Sequence, residues 1–147
     1  MHFKKFYFLF IFLLPAGIVT AQTGDSVELI CPLANGILRV IRASDKNYEK
    51  TSEYGAIITS RTDTLVQAVH DAVVVISTKT EGEKYDVVLS YRGYYFWYTG
   101  ISNPRVKERD RIKAGDIIGS YKPNDLLELL MFFKEEPVNP RKFLKCK

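Results

Sequence analysis

Beyond a first apolar stretch, hydrophobic and polar positions alternate in short runs separated by turn-forming residues, the period of two expected of half-buried strands. The runs are Gly36 to Arg42, Ala56 to Ser60, Thr64 to Val69, Ala72 to Thr78, Tyr85 to Tyr91, Tyr94 to Thr99, Ile117 to Tyr121 and Leu126 to Phe133. Arg92-Gly93 between two aromatic runs predicts a tight hairpin. Thr80-Glu81-Gly82-Glu83-Lys84 predicts a polar connection turned by its glycine. Leu126 to Phe133 also suits a helix, because Leu, Glu and Met favour one. Asn103 to Lys113 lacks a strand pattern, and its charges predict a surface loop. Within Tyr94 to Gly100, alternation places Tyr94, Phe96, Tyr98 and Gly100 on one side and Tyr95, Trp97 and Thr99 on the other. Aromatic rings on both sides predict a central strand whose rings are chiefly core. A shallow aromatic groove that stacks on sugar or peptide is the alternative. The expectation is one small all-β domain of antiparallel strands.

The first residues follow a different rule. Lys4 and Lys5 precede an apolar run from Phe6 to Leu14, then Pro15, and a Val19-Thr20-Ala21 stretch before Gln22. That order of charge, apolar run and small residues predicts a secretory signal over residues 1–21, leaving a mature domain of residues 22–147. Phe6 to Val19 falls short of the roughly 20 residues a spanning helix needs, so no stable membrane span is expected after cleavage. The Thr20-Ala21-Gln22 cut looks bacterial, and the address it implies is periplasmic or secreted.

Export changes what charge and cysteine mean. The 147 residues carry a net charge of +4, which falls to +2 once Lys4 and Lys5 are removed. A nucleic-acid partner is therefore not expected. Composition, at 26% charged and 46% hydrophobic, excludes disorder, collagen, coiled coil and a disulfide-dense miniprotein. Cys31 and Cys146 would both enter an oxidising compartment, where a bond between them is chemically allowed, with two unpaired thiols as the alternative. Ile30 is too bulky to precede a lipidated cysteine.

Nucleophile and phosphate chemistry find no footing. The chain has no Gly-x-Ser-x-Gly element, no histidine near either cysteine and no glycine-rich phosphate loop. The one histidine of the mature chain, His70 beside Asp71, reads as a turn residue. Arg105, Lys107, Arg109, Arg111 and Lys113 form the one basic cluster, interrupted by Glu108 and Asp110, and mark a candidate charged edge for a partner.

Several segments follow one another in a fixed order: Cys31-Pro32-Leu33-Ala34-Asn35-Gly36, Glu53-Tyr54-Gly55-Ala56-Ile57, His70-Asp71-Ala72-Val73-Val74, Tyr98-Thr99-Gly100-Ile101-Ser102, and Val106 through Gly119, especially Ile112 to Gly119. Through them Pro32 to Leu144 resembles the M23 (LytM-type) peptidase domain of the duplicated hybrid motif superfamily, zinc endopeptidases that cut peptidoglycan cross-links. The segments fall in turn where that family has Pro-x-x-x-Gly, His-x-Gly-x-Asp, an Asp-Gly-x-Val turn, Tyr-x-His-Leu-Ser and its glycine turn. Leu126-Leu127-Glu128-Leu129-Leu130 lies where His-x-His-Phe-Glu belongs, and Pro137-Val138-Asn139-Pro140 closes the pattern. The glycine turn also occurs in biotinyl and lipoyl carriers, but no lysine here lies in their modified hairpin.

The resemblance implies a small two-sheet β hybrid of barrel-sandwich type. It also implies where a zinc site would be. A zinc peptidase needs three protein ligands and one open position for water. The family's ligands map to Glu53, Ile57 and Glu128, and its two further histidines to Gly100 and Leu126. All five positions are changed, and Ile57 has no lone pair. The expectation is a domain without catalytic, metal or cofactor residues, whose vestigial groove is lined by Glu53, Ile57, Gly100, Leu126 and Glu128 with Tyr54 and Tyr98 at its wall. The partners implied are peptidoglycan or a cell-wall hydrolase. The alternatives are an active zinc endopeptidase with an altered metal site, or a structural envelope protein.

Overall fold

The computed structural model describes residues 27–39 and 55–147. Twelve strands occur among them: β1 Leu29–Ile30, β2 Ile37–Leu38, β3 Ala56–Thr59, β4 Leu65–Gln67, β5 Ala72–Lys79, β6 Lys84–Tyr91, β7 Tyr94–Ser102, β8 Arg111–Ile112, β9 Ile117–Ser120, β10 Leu127–Phe133, β11 Glu136–Val138 and β12 Leu144–Lys145. A single 3₁₀ turn, Pro140–Lys142, starts at an Asn139 cap whose side chain accepts from the Arg141 N–H. No helix among the described residues is long and apolar enough to cross a membrane.

Two sheets result. In the larger, β2, β3, β10, β7, β6, β5 and β8 follow one another as hydrogen-bonded neighbours, β11 pairs with β10, and β9 bridges β4 and β7. All its pairings are antiparallel. The smaller sheet is β1 beside β12, and this pair is parallel, a departure from the antiparallel expectation. Its cause is the joining of the two chain ends. Leu29 and Leu144 are register partners, and just beyond them Cys31 and Cys146 are disulfide-bonded, with Cα atoms 4.8 Å apart across a sequence separation of 115.

The Leu126–Phe133 run is strand rather than helix. Leu127, Leu129 and Met131 are buried, Glu128, Leu130 and Phe132 are partly exposed, and the strand is hydrogen-bonded to β3 and β7. Pairing on both edges overrides the helical propensity of Leu and Met. The Arg92-Gly93 hairpin forms with φ of 44° and 83°, the two positive values of a type I′ turn. The Gly36–Arg42 run is strand at Ile37–Leu38; residues 40–42 lie outside the described residues.

The core lies against one face of the large sheet. Phe96 and Tyr98 of β7, Leu89 of β6, Leu127 and Leu129 of β10, and Leu29, Leu33, Ile101 and Ile118 are all fully buried in one cluster. Tyr98 and Ile101 are three residues apart yet both face inward, so the alternation slips once. The slip is at Gly100: Asp86 pairs with Thr99 and Tyr85 with Ile101, leaving Gly100 as the extra residue of a bulge, at φ 99°.

Replacing both Cys31 and Cys146 with alanine frees the two ends. In the loop-entropy account a closure of this length is worth about 5 kcal/mol. The double variant is expected to lose roughly that much in urea denaturation, with the β1–β12 amides exchanging fastest.

Candidate functional site

The other face of the large sheet is the site. Residues in register across neighbouring strands share a face, so three rows can be followed across it. At one end Ile57 of β3, Glu128 of β10, Thr99 of β7 and Asp86 of β6 are successive register partners. Two residues along come Leu130, Trp97, Val88 and Ile76. Two further along come Phe132, Tyr95, Ser90, Val73 and Arg111. The face is therefore acidic at one end, apolar and aromatic in the middle, and basic at the other.

At the acidic end, Asp86 and Glu128 flank Thr99, two strand spacings apart, or roughly 9–10 Å between backbones. The Trp97 indole N–H donates to Asp86 Oδ2 at 3.0 Å. Asp86 Oδ1 is buried and has no hydrogen-bond partner among the described residues. Loss of water around Glu128, and next the negative charge of Asp86, push the Glu128 carboxyl above the ordinary glutamate range. Neither carboxylate has a salt-bridge partner among the described residues. The nearby Lys84 is committed to Asp125 and holds that carboxyl below its ordinary range.

In the middle, Val75, Ile76, Val88, Tyr95, Trp97 and Phe132 surround a cavity of about 420 Å³, with Glu135 at its rim. Tyr95, Val75 and Ile76 are 39%, 37% and 40% exposed. The Trp97 and Phe132 rings are 6.5 Å apart and tilted by 50°. At the basic end a second cavity of about 410 Å³ lies between Val73, Ser90, Tyr91, Arg111 and Lys113. Asp71 also lines it, with its Oδ1 accepting from the Ala114 N–H.

The residues expected to form the groove are only partly brought together. Ile57 and Glu128 are register partners, so these two positions meet. Ile57 is buried, at 3% exposure, and belongs to this face rather than to the core cluster. Leu126 precedes β10 and is 38% exposed. Glu53 and Tyr54 lie outside the described residues. Tyr98 is a correction: it is fully buried on the opposite face and forms no groove wall. Its hydroxyl accepts from the Val69 N–H at 2.8 Å, and burial pushes its ionisation far above the ordinary tyrosine range. The strand alternation already placed Tyr98 with Phe96, the inward side. Gly100 does not project onto the face either, since a Cβ there would stand 2.8 Å from the Leu126 carbonyl oxygen. His70 is a turn residue, its Nδ1 2.9 Å from the Asp71 carbonyl and its ring 4.2 Å from Tyr91.

Sequence reasoning missed Asp86, Val88 and Phe132 as parts of the face. The period-two pattern of Tyr85 to Tyr91 and of Leu126 to Phe133 carried that information, but only with the strand register in hand. The alternation grouped Tyr95 with Trp97 on one side of their strand, but it predicted rings on both sides to be chiefly core.

This is a small two-sheet β domain, with one face of the larger sheet covered by the core and the other open. The chain belongs to peptidase family M23: the sequence pattern described as Peptidase family M23 matches residues 51–140. No curated protein sequence matches significantly. Among solved structures the fold is similar to a chain of the SpoIIQ–SpoIIIAH pore forming complex, with TM-score 0.66 and 18% identity, covering 82% of this chain and 92% of that one. It is also similar to Helicobacter pylori Csd3, with TM-score 0.60 and 18% identity over 82% of this chain and 34% of that one. The antimicrobial peptidase lysostaphin from Staphylococcus simulans gives TM-score 0.51 and 24% identity over 61% of this chain and 77% of that catalytic domain.

The zinc that the family implies does not fit the residues present. Of the three ligand positions, Ile57 offers no donor atom, Glu128 offers one carboxylate, and Glu53 lies outside the described residues. No group of three or more His, Cys, Asp or Glu side chains among the described residues could hold a metal ion.

Two outcomes are expected. Because the folded pKa of Glu128 is raised, its contribution to stability is present below the unfolded pKa and is lost as pH rises through the folded one. Glu128→Gln therefore melts higher than the parent at pH 7, by about 2 °C, and the two converge at about pH 3.5, below both pKa values. Gly100→His places a β-carbon against the Leu126 carbonyl at a positive φ. It costs about 2 kcal/mol in denaturant unfolding and brings no zinc binding by calorimetry.

Proposed function

We propose that the chain is an exported, non-catalytic M23 domain that uses the open sheet face to bind cell-wall peptidoglycan or a hydrolase that acts on it. The observation that carries the reading is the make-up of that face. At the two described positions where a zinc peptidase would have donors, this chain presents Ile57 and Glu128, and Ile57 has none to offer. Beside them lie a cavity with Tyr95 and Trp97 in its lining and two unneutralised carboxylates, a surface suited to holding a ligand rather than to activating water. The Cys31–Cys146 bond supports export, because such bonds persist in oxidising compartments. The Lys4-Lys5 and apolar leader supports the same address.

The test is sedimentation of the mature chain, recovered from a bacterial periplasm, with purified sacculi, followed by assay of the supernatant for released peptides. The expected result is co-sedimentation, reduced at least about threefold by Trp97→Ala, with no soluble fragments. Fragment release would contradict the non-catalytic reading. Absence of co-sedimentation would remove the polymer as ligand and leave the hydrolase.

A further inference from the structure

The open face is not uniform, and its polarity limits what can lie along it. Glu128 and Asp86 stand at one end and Arg111 and Lys113 at the other, with the Trp97 and Tyr95 rings and Val88 between. Neither the acids nor Arg111 and Lys113 have salt-bridge partners within the described residues. Asp86 to Ser90, the reach along β6 from the acidic row to the Arg111 row, is four strand steps, or about 13 Å. An extended chain of four residues spans about the same distance from its amino nitrogen to its carboxyl carbon.

We propose, resting on the ligand-binding reading above, that this face selects an extended peptide of about four residues with opposite charges at its ends. Its ammonium group is held by Glu128 and Asp86, an apolar side chain enters the Trp97 and Tyr95 cavity, and its carboxylate meets Arg111 and Lys113. The positive charge that relatives draw from a metal is here supplied by the ligand. Three features support this occupant over a neutral or purely anionic one. Asp86 Oδ1 lacks a donor, and an ammonium group brings three. Glu128 is desolvated and faces a like charge, so a cation between the two carboxylates relieves both penalties. Trp97 fixes the Asp86 carboxylate through its indole N–H, leaving Oδ1 for the ammonium group. Glu135 lies on the β10 side of the cavity, so the carboxylate is directed toward β5 and β8 instead.

Trp97 is the chain's one tryptophan and already touches Asp86, so its emission reports directly on this face. The probe is the tetrapeptide Ala-Leu-Ala-Ala with free ends, titrated against the mature chain at low salt alongside its N-acetylated and C-amidated forms. Capping either end is expected to weaken binding about tenfold, equivalent to roughly 1.4 kcal/mol. In Glu128→Gln the penalty for N-acetylation shrinks to the part Asp86 still supplies while that for amidation remains. In Arg111→Gln the pattern is reversed. Equal binding of free and capped peptides would overturn the proposal even where sacculi co-sediment, leaving the wall-binding reading standing. Absence of any saturable change up to about 10 mM peptide would overturn it as well. Loss of both sacculus and peptide binding would remove the two together.

Discussion

The structure depends on one constraint, that β7 is paired on both edges and so has one face to bury and one to leave open. Tyr94 to Thr99 pair with β6 along one side and with β10 along the other. Phe96 and Tyr98 go inward, and the Tyr98 hydroxyl reaches through the core to the Val69 N–H. Tyr95, Trp97 and Thr99 then have nowhere to point but outward. The bulge at Gly100 restores Ile101 to the core.

The open face follows from this. Ladder pairing sets Ile57, Glu128, Thr99 and Asp86 in one row, which brings two carboxylates to the same end of the sheet with no metal-binding group of three among the described residues. Carboxylates that share a partly desolvated site and lack a counter-charge are held at a cost. Such an arrangement is relieved by a cation from outside. The aromatic cavity beside it adds apolar contact, so the surface combines the two properties a peptide-binding face requires.

Much of the fold was legible in the sequence because its long strands have a clear period and clear punctuation. β5, β6, β7 and β10 each match a run of alternating residues to within a few positions. The two-residue strands β1, β8 and β12 were not legible, since two residues carry no period and their pairing depends on distant partners. The parallel β1–β12 pair is a property of chain closure, which no local pattern encodes. Within the site, Ile57 and Glu128 were legible through the family motifs, whereas Asp86 entered only through its register with Thr99. Tyr98 differs: alternation groups it with Phe96, and only the burial of Phe96 tells which side of the strand faces the core.

The central claim is that the residues on this face do not constitute a zinc site. The most direct measurement is the metal content of the mature chain expressed with ample zinc, read by elemental mass spectrometry on protein whose disulfide is intact. The account predicts zinc far below one ion per chain, unchanged in Glu128→Gln. Near-stoichiometric zinc that is lost in Glu128→Gln would contradict it and would place a rebuilt metal centre on the open face.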